Sequence, residues 1–344
     1  MIRNLLFIIS FTFAFSKATG QVSESNLTTK ISNYIFVNRD RARIHDTIFL
    51  STEQLVGAQI KYIWKELEPK KDSFNFQIIK DDVEFLKSKG KSLFIQLQDV
   101  SFDSTMINVP DYLLQDTVYH GGVNAQYFFK DKEENFYYKE GWVSRRWDVN
   151  VASRFHKLMC ELGKMFDGII AGINLPETSV EFGTTGKHYP KGFTCDNYKN
   201  AIKENMLTLK TAFPNTIVIQ YINYMPCEFL PWTNGNLLKD LFAYAQQIKV
   251  GVGNPDLMPY KKSQINNSYQ FIKSCSGIVP IGVAVQDGNY QYINPKTGVQ
   301  VTIDEMFSFA KNELQLNYIF WCLQEPYFSN QVIPYLRNMK PNWQ

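Results

Sequence analysis

The chain carries no dense block of lysine or arginine: 36 basic residues against 33 acidic ones leave a net charge of only +3 over 344 residues. Nucleic-acid binding therefore lacks its electrostatic footprint. Histidine is scarce, and the four present stand at no metal-ligand spacing, so neither a metal nor an organic cofactor is implied. The five cysteines (Cys160, Cys195, Cys227, Cys275, Cys322) are an odd count without paired spacing. That argues against a zinc site or a disulfide framework. A Cys195–Cys227 bridge is an alternative that the spacing does not favour, and Cys160 and Cys322 fall in apolar helix and strand contexts expected to bury their thiols. Beyond the first twenty residues no apolar run approaches a membrane span. No glycine-rich phosphate loop follows the first strand-like run, as an open dinucleotide-binding sheet would require.

What is present begins with a leader. Met1-Ile2-Arg3-Asn4 is a short positive start, Leu5 to Phe15 is apolar, and Ser16-Lys17-Ala18-Thr19-Gly20 supplies small residues before Gln21. This is the layout of a secretory signal peptide, so residues 1–20 are expected to be removed and 21–344 to be exported, periplasmic or extracellular, and free of the membrane. A length above 300 residues suits one α/β barrel as a single domain. Aromatic residues reach 15%, enough for a large core and for rings that stack on sugars.

Hydrophobic periodicity alternates between short strand-like runs and longer helical ones. The strand-like runs are 33–37, 57–64, 92–97, 168–173, 216–222, 249–252, 279–285 and 318–322; helical spacing marks 76–89, 151–166, 197–213, 236–248, 263–275 and 303–314. Eight strands, most of them separated by a helix, predict a parallel sheet closed on itself, a (β/α)₈ barrel. The segment 99–150, rich in Tyr, Gly and charge, fits no single element. A connection of that length is functional or disordered, and this one is expected to fold over the barrel mouth as one wall of a cleft, with its tyrosines, Trp142 and Trp147 as stacking surfaces.

Working residues of such barrels stand where strands end. Here those positions hold Trp64, then Gln96, Gln98 and Asp99, then Asn174 and Glu177, then Gln220, Tyr221, Asn223 and Tyr224. Asn254 and Asp256, Gln286 and Asp287, and Trp321, Gln324 and Glu325 complete the set. Amides, carboxylates and aromatic rings dominate, with hardly a Lys or Arg. A neutral polyhydroxylated ligand fits that lining, whereas an anionic one asks for basic residues.

The run Gly57-Ala58-Gln59-Ile60-Lys61-Tyr62-Ile63-Trp64-Lys65-Glu66-Leu67-Glu68-Pro69, followed by Phe74-Asn75-Phe76, resembles the second-strand segment of clan A glycoside hydrolases. The match continues through Phe94-Ile95-Gln96-Leu97; it is sharp over residues 57–98 and moderate at 172–178. The resemblance implies hydrolysis of O-glycosidic bonds in an oligo- or polysaccharide by a monomeric barrel. It puts Glu177, after the fourth strand, in the place of the general acid/base. Two departures accompany it. That clan has Asn directly before this Glu, whereas Leu175 and Pro176 separate Asn174 from Glu177. Its nucleophile is a Glu ending the seventh strand, whereas this chain offers Gln286 and Asp287. Successive strand residues face opposite ways, so one of the two points inward. Asp287, Glu325 and Asp256 are the candidates for the second carboxylate. Trp64, Gln96, Gln98, Asn174, Asn223, Asn254, Asp256, Gln286 and Trp321 are expected to hold the sugar. A carbohydrate-binding barrel that has lost its nucleophile is the alternative, favoured if the cleft holds one inward carboxylate.

Overall fold

The computed structural model describes residues 30–228 and 235–339; the expected leader lies outside them. Eight parallel strands close into a barrel in the order β1 (Ser32–Phe36), β11 (Tyr318–Cys322), β10 (Ile281–Val285), β9 (Gly251–Asn254), β8 (Ile217–Tyr221), β7 (Gly172–Leu175), β3 (Ser92–Gln98) and β2 (Leu55–Ile63). The barrel read from the alternation of strand and helix is thus the fold. Its outer ring includes the helices Gln77–Ser88, Val149–Phe166, Cys195–Ala212 and Leu237–Ile248. Most boundaries agree with the periodicity to within two residues. The fourth barrel strand is the exception: it starts at Gly172 rather than 168, because Gly168 turns the chain at φ 73° and Ile169 is exposed. No helix among the described residues is long and apolar enough to cross a membrane.

Side-chain size explains how the barrel fills. Tyr34, Phe94 and Phe320 meet edge-on or tilted inside it, with ring centroids 4.9–5.9 Å apart. Their bulk is matched by glycines on neighbouring strands. A Cβ on Gly172 would lie 2.3 Å from the Phe94 ring, and one on Gly57 would lie 2.6 Å from the Tyr34 ring. Alternating large and small inward residues is how a tapering barrel interior packs. Above this apolar layer the inward residues turn polar: Gln59 donates to Asn174 Oδ1 (2.8 Å) and to the Tyr221 hydroxyl (3.0 Å).

The Leu67-Glu68-Pro69 motif has a structural part. Glu68 is fully buried and accepts from Trp64 Nε1 at 2.9 Å, from the backbone of Asp72 at 3.1 Å and from Arg154 on the helix Val149–Phe166. It clamps the second strand end to that helix. Trp64 is thereby turned out of the barrel, its ring 4.8 Å from that of Phe155.

Residues 99–150 form a small antiparallel sheet in the order β4 (Val100–Ser101), β6 (Tyr137–Ser144), β5 (Val123–Phe129). The carboxylate of Glu134, at the tip of the β5–β6 hairpin, accepts from the backbone and hydroxyl groups of Thr184 and Thr185. The sheet is therefore fastened to the loop after β7. Cys195 and Cys227 form a disulfide with a Cα separation of 6.1 Å, the pairing that spacing alone did not favour. Cys160 is exposed and Cys322 buried; Cys160 lies on the solvent side of its helix although the helix around it is apolar.

Gly172→Ala tests the barrel filling. The new methyl meets the Phe94 ring, and overpacking of this kind costs about 1–3 kcal/mol. The unfolding free energy from urea titration is expected to fall by that amount, lowering the midpoint, and to recover in Gly172→Ala/Phe94→Leu. An unchanged midpoint in the single variant would show that the interior is not tightly filled there.

Candidate active site

A cavity of about 320 Å³ opens at the carboxyl ends of the barrel strands. Its floor comes from the strands: Lys61 and Ile63 from β2, Gln96 and Gln98 from β3, Pro176 and Glu177 after β7, Tyr221 from β8, Pro255 after β9 and Gln286 after β10. One wall comes from the inserted segment, through Val100, Ser101, Phe102, Asp103, Met106 and Asn108. Trp142 and Trp147 are not on that wall. Trp142 Nε1 donates to the Ser104 carbonyl at 2.9 Å, and Trp147 packs edge-on against Phe182 and Phe193.

Glu177 is the centre of the site. Asn223, after β8, donates its side-chain amide to Glu177 Oε2. Burial pushes the Glu177 carboxyl up to about 7; the Asn223 hydrogen bond opposes this, the charge of Asp256 adds to it, and Lys61 and Arg146 oppose it. A carboxyl held near neutrality holds and releases a proton at the pH where a general acid/base works.

The backbone under Glu177 is fixed from outside the barrel. Arg146 pairs with Asp99 through two hydrogen bonds of 2.8 and 2.6 Å, both side chains buried. The same guanidinium donates to the Glu177 carbonyl at 3.3 Å and to the Tyr198 hydroxyl at 2.7 Å, and Tyr198 donates in turn to the Thr178 carbonyl at 2.9 Å. Asp99 ends β3 and Arg146 ends the insertion, so the wall and the floor share one ion pair.

Of the residues expected to line the site, Gln96, Gln98, Glu177 and Gln286 do so, and Asn223 and Asp256 stand beside them. Asn174 lies buried beneath, in the Gln59–Tyr221 network. Asn254 faces away from the cavity, its amide donating to Gln264 Oε1 and Ser268 Oγ at 3.1 and 2.7 Å. Trp64 and Trp321 are fully buried on the outer side of the sheet; Trp321 Nε1 donates to Asn33 Oδ1 at 2.9 Å. Strand parity decides this: Phe320, the neighbour of Trp321, is the residue that faces in.

Among the second carboxylates, the end of β10 presents Gln286 to the cavity, while Asp287 is exposed, 3.6 Å from Cys322 Sγ. Glu325 is exposed as well and accepts from the Ser329 backbone at 3.2 Å and hydroxyl at 2.6 Å. It caps the helical turn that follows. Asp256 is held by Asn289 Nδ2 at 2.9 Å, with Gln264 Nε2 at 3.5 Å. Sequence reading missed Lys61 and Arg39, both on the cavity wall. Counting two residues inward from Ile63, the end of β2, would have found Lys61, since alternate residues share a face.

Similarity to known proteins is confined to backbone architecture. No protein-family model matches the sequence, and no curated protein matches it. The structure of xylanase 10B from Thermotoga petrophila RKU-1 in complex with xylobiose superposes with a TM-score of 0.50 at 11% identity, covering 88% of this chain and 86% of that one. Native xylanase 10B from Thermotoga maritima gives 0.49 at 11% identity, covering 86% and 83%. The first of these shares the closed eight-stranded barrel.

Glu177→Gln tests the electrostatics of the site. Its folded-state pKa of about 7 lies above the ordinary 4.5. The native state therefore holds the extra proton between those values, and stability falls as pH rises through that window. The variant is expected to match the parent at about pH 4 and to exceed it at about pH 8, by up to about 3 kcal/mol. Denaturant titrations at both pH values measure this; a difference independent of pH would mean that Glu177 titrates like an exposed carboxyl.

Proposed function

We propose that the cleft hydrolyses a glycosidic bond, with Glu177 as general acid/base. The observation that carries this reading is Glu177 itself: a half-buried carboxyl pushed up to about 7, oriented by Asn223 and opening onto an amide-lined cavity at the barrel mouth. Protonated, it delivers its proton to the leaving glycosidic oxygen as the bond to the anomeric carbon breaks. The second carboxylate is assigned to Asp256. It is the candidate whose charge reaches Glu177; like Asp287 and Glu325 it stands behind the cavity lining. Asp256 either takes a proton from the attacking water or attacks the anomeric carbon, and the anomer of the first-formed product separates the two. Gln98 and Gln286 suit the sugar hydroxyls, and the exposed ring of Phe102 supplies aromatic surface. The expected leader and the Cys195–Cys227 disulfide together support an exported protein, since disulfides persist in oxidising compartments.

A second reading rests on Gln286. It stands where the clan resembled by residues 57–98 keeps its nucleophile, and the carboxylates on the cavity wall are Glu177 and Asp103 alone among the described residues. A barrel so altered binds carbohydrate without cutting it.

Hydrolysis of a glycoside panel separates the readings. Glu177→Gln is expected to lose about 10²–10⁴-fold in turnover on natural glycosides and much less on aryl glycosides, whose leaving groups need little protonation. Asp256→Asn should impair both substrate types. In the parent, activity should fall as pH rises through about 7, where Glu177 gives up its proton. Sugar binding with no turnover by the parent protein would establish the binding reading instead.

A further inference from the structure

Two groups in the cavity are left incomplete by the mechanism above. Lys61 on β2 and Gln96 on β3 are neighbours in register, and both line the cavity. Among the described residues the Lys61 ammonium forms no ion pair and donates no side-chain hydrogen bond; its recorded partner is the Phe36 ring, 5.4 Å from Nζ. Gln96 Oε1 is buried and has no hydrogen-bond partner. Buried charges are normally paired, and buried acceptors are normally satisfied. A donor and an acceptor left open side by side in a cavity are groups that a ligand completes.

The charge balance narrows the ligand. Burial pushes the Lys61 ammonium down, Glu177 and Asp287 favour its charged form, and Arg39 opposes it. Glu177 is the nearest of these to a true partner, yet in its acid role it carries a proton and no charge. Asp287 is exposed to solvent. Arg39 stands on the same wall, half exposed, with its guanidinium 3.3 Å from Glu66. Asp103, the other carboxylate on the wall, exerts its charge on Arg39. When Glu177 is ready to act, the Lys61 ammonium is therefore left, among the described residues, with no anion at ion-pair distance. A neutral hydroxyl can accept a hydrogen bond from Lys61 but leaves that charge unbalanced; a carboxylate supplies both the acceptor and the charge.

We propose that the sugar bound beside Glu177 is an acidic, uronate-type residue, whose carboxylate accepts from Lys61 Nζ and one of whose hydroxyls donates to Gln96 Oε1. The inference rests on the carbohydrate reading of the cleft and replaces the neutral ligand expected from the strand-end composition. Lys61 is then a residue that determines specificity.

The test compares oligosaccharides of galacturonate, glucuronate and mannuronate with their carboxyl-reduced neutral counterparts, by calorimetric binding to the full-length mature protein and by turnover. At least one uronate series should bind about 10–100-fold more tightly than its neutral counterpart, the range expected for one hydrogen bond to a charged group. Lys61→Met should abolish that ratio, and Lys61→Arg should restore part of it. Equal affinity for both series, or a preference for the neutral one, overturns the inference and leaves the carbohydrate reading standing. A ratio that persists in Lys61→Met overturns the assignment to Lys61. Binding of neither series overturns the carbohydrate reading and the inference together. The comparison on the parent protein needs no variant to fold.

Discussion

The ion pair between Asp99 and Arg146 ties the architecture to the site. Both side chains are withdrawn from water, and the pair joins the carboxyl end of β3 to the point where the insertion returns to the barrel. Buried pairs of this kind contribute little net stability, because desolvation offsets their attraction. Breaking one by removing a partner is costly, so the pair acts as a constraint more than as a source of stability. What it constrains is the backbone of Glu177, through the 3.3 Å contact of Arg146 to the Glu177 carbonyl and through Tyr198 to Thr178. The long segment 99–150 can therefore form a wall of the cleft without loosening Glu177 on its floor.

Much of the barrel was legible from periodicity, because strands and helices bury their faces with different periods and the chain alternates between them. The place of Glu177 on the cavity was legible too, since residues that follow barrel strands gather at that end of the barrel. The errors share one cause: a strand end names a neighbourhood, while parity chooses the face. Trp321 and Asn254 stand one residue away from inward positions and serve the outer packing layer. Trp64 follows the last residue of β2, and the buried carboxylate of Glu68 holds its indole outside. Lys61 was overlooked for the complementary reason: it is inside the strand, two residues before its end, and its side chain reaches the cavity from there. The small sheet of the insertion was hidden because its register depends on contacts with the loop after β7, made by Glu134, that no local pattern announces.

The barrel interior is divided in two, and the division explains how a carboxyl near neutrality is tolerated. Below, Tyr34, Phe94 and Phe320 fill the taper against glycines and leave no room for water to be organised around a charge. Above, Gln59, Asn174 and Tyr221 form a hydrogen-bonded layer of neutral groups. Glu177 stands on this neutral layer, so what lies beneath it offers little to stabilise its ionised form, and burial dominates its titration. Asn223 supplies the one strong directional contact, which fixes the carboxyl's orientation while opposing the shift only in part. The fold thus separates position from proton affinity in Glu177: its position comes from Asn223 and Arg146, and its proton affinity comes from its burial above the neutral layer.

That separation also bears on the end of the seventh barrel strand, where Gln286 faces the cavity. Gln286 is neutral, so it adds no repulsion that would raise the proton affinity of Glu177. Asp256, one barrel strand away, supplies such a repulsion, and its contact to Asn289 ties it back to the loop that carries Gln286. An amide at 286 can accept from and donate to sugar hydroxyls at once, which a carboxylate cannot. A neutral amide at 286 with a carboxylate one strand away keeps a repulsion acting on Glu177 while the cavity wall there stays uncharged.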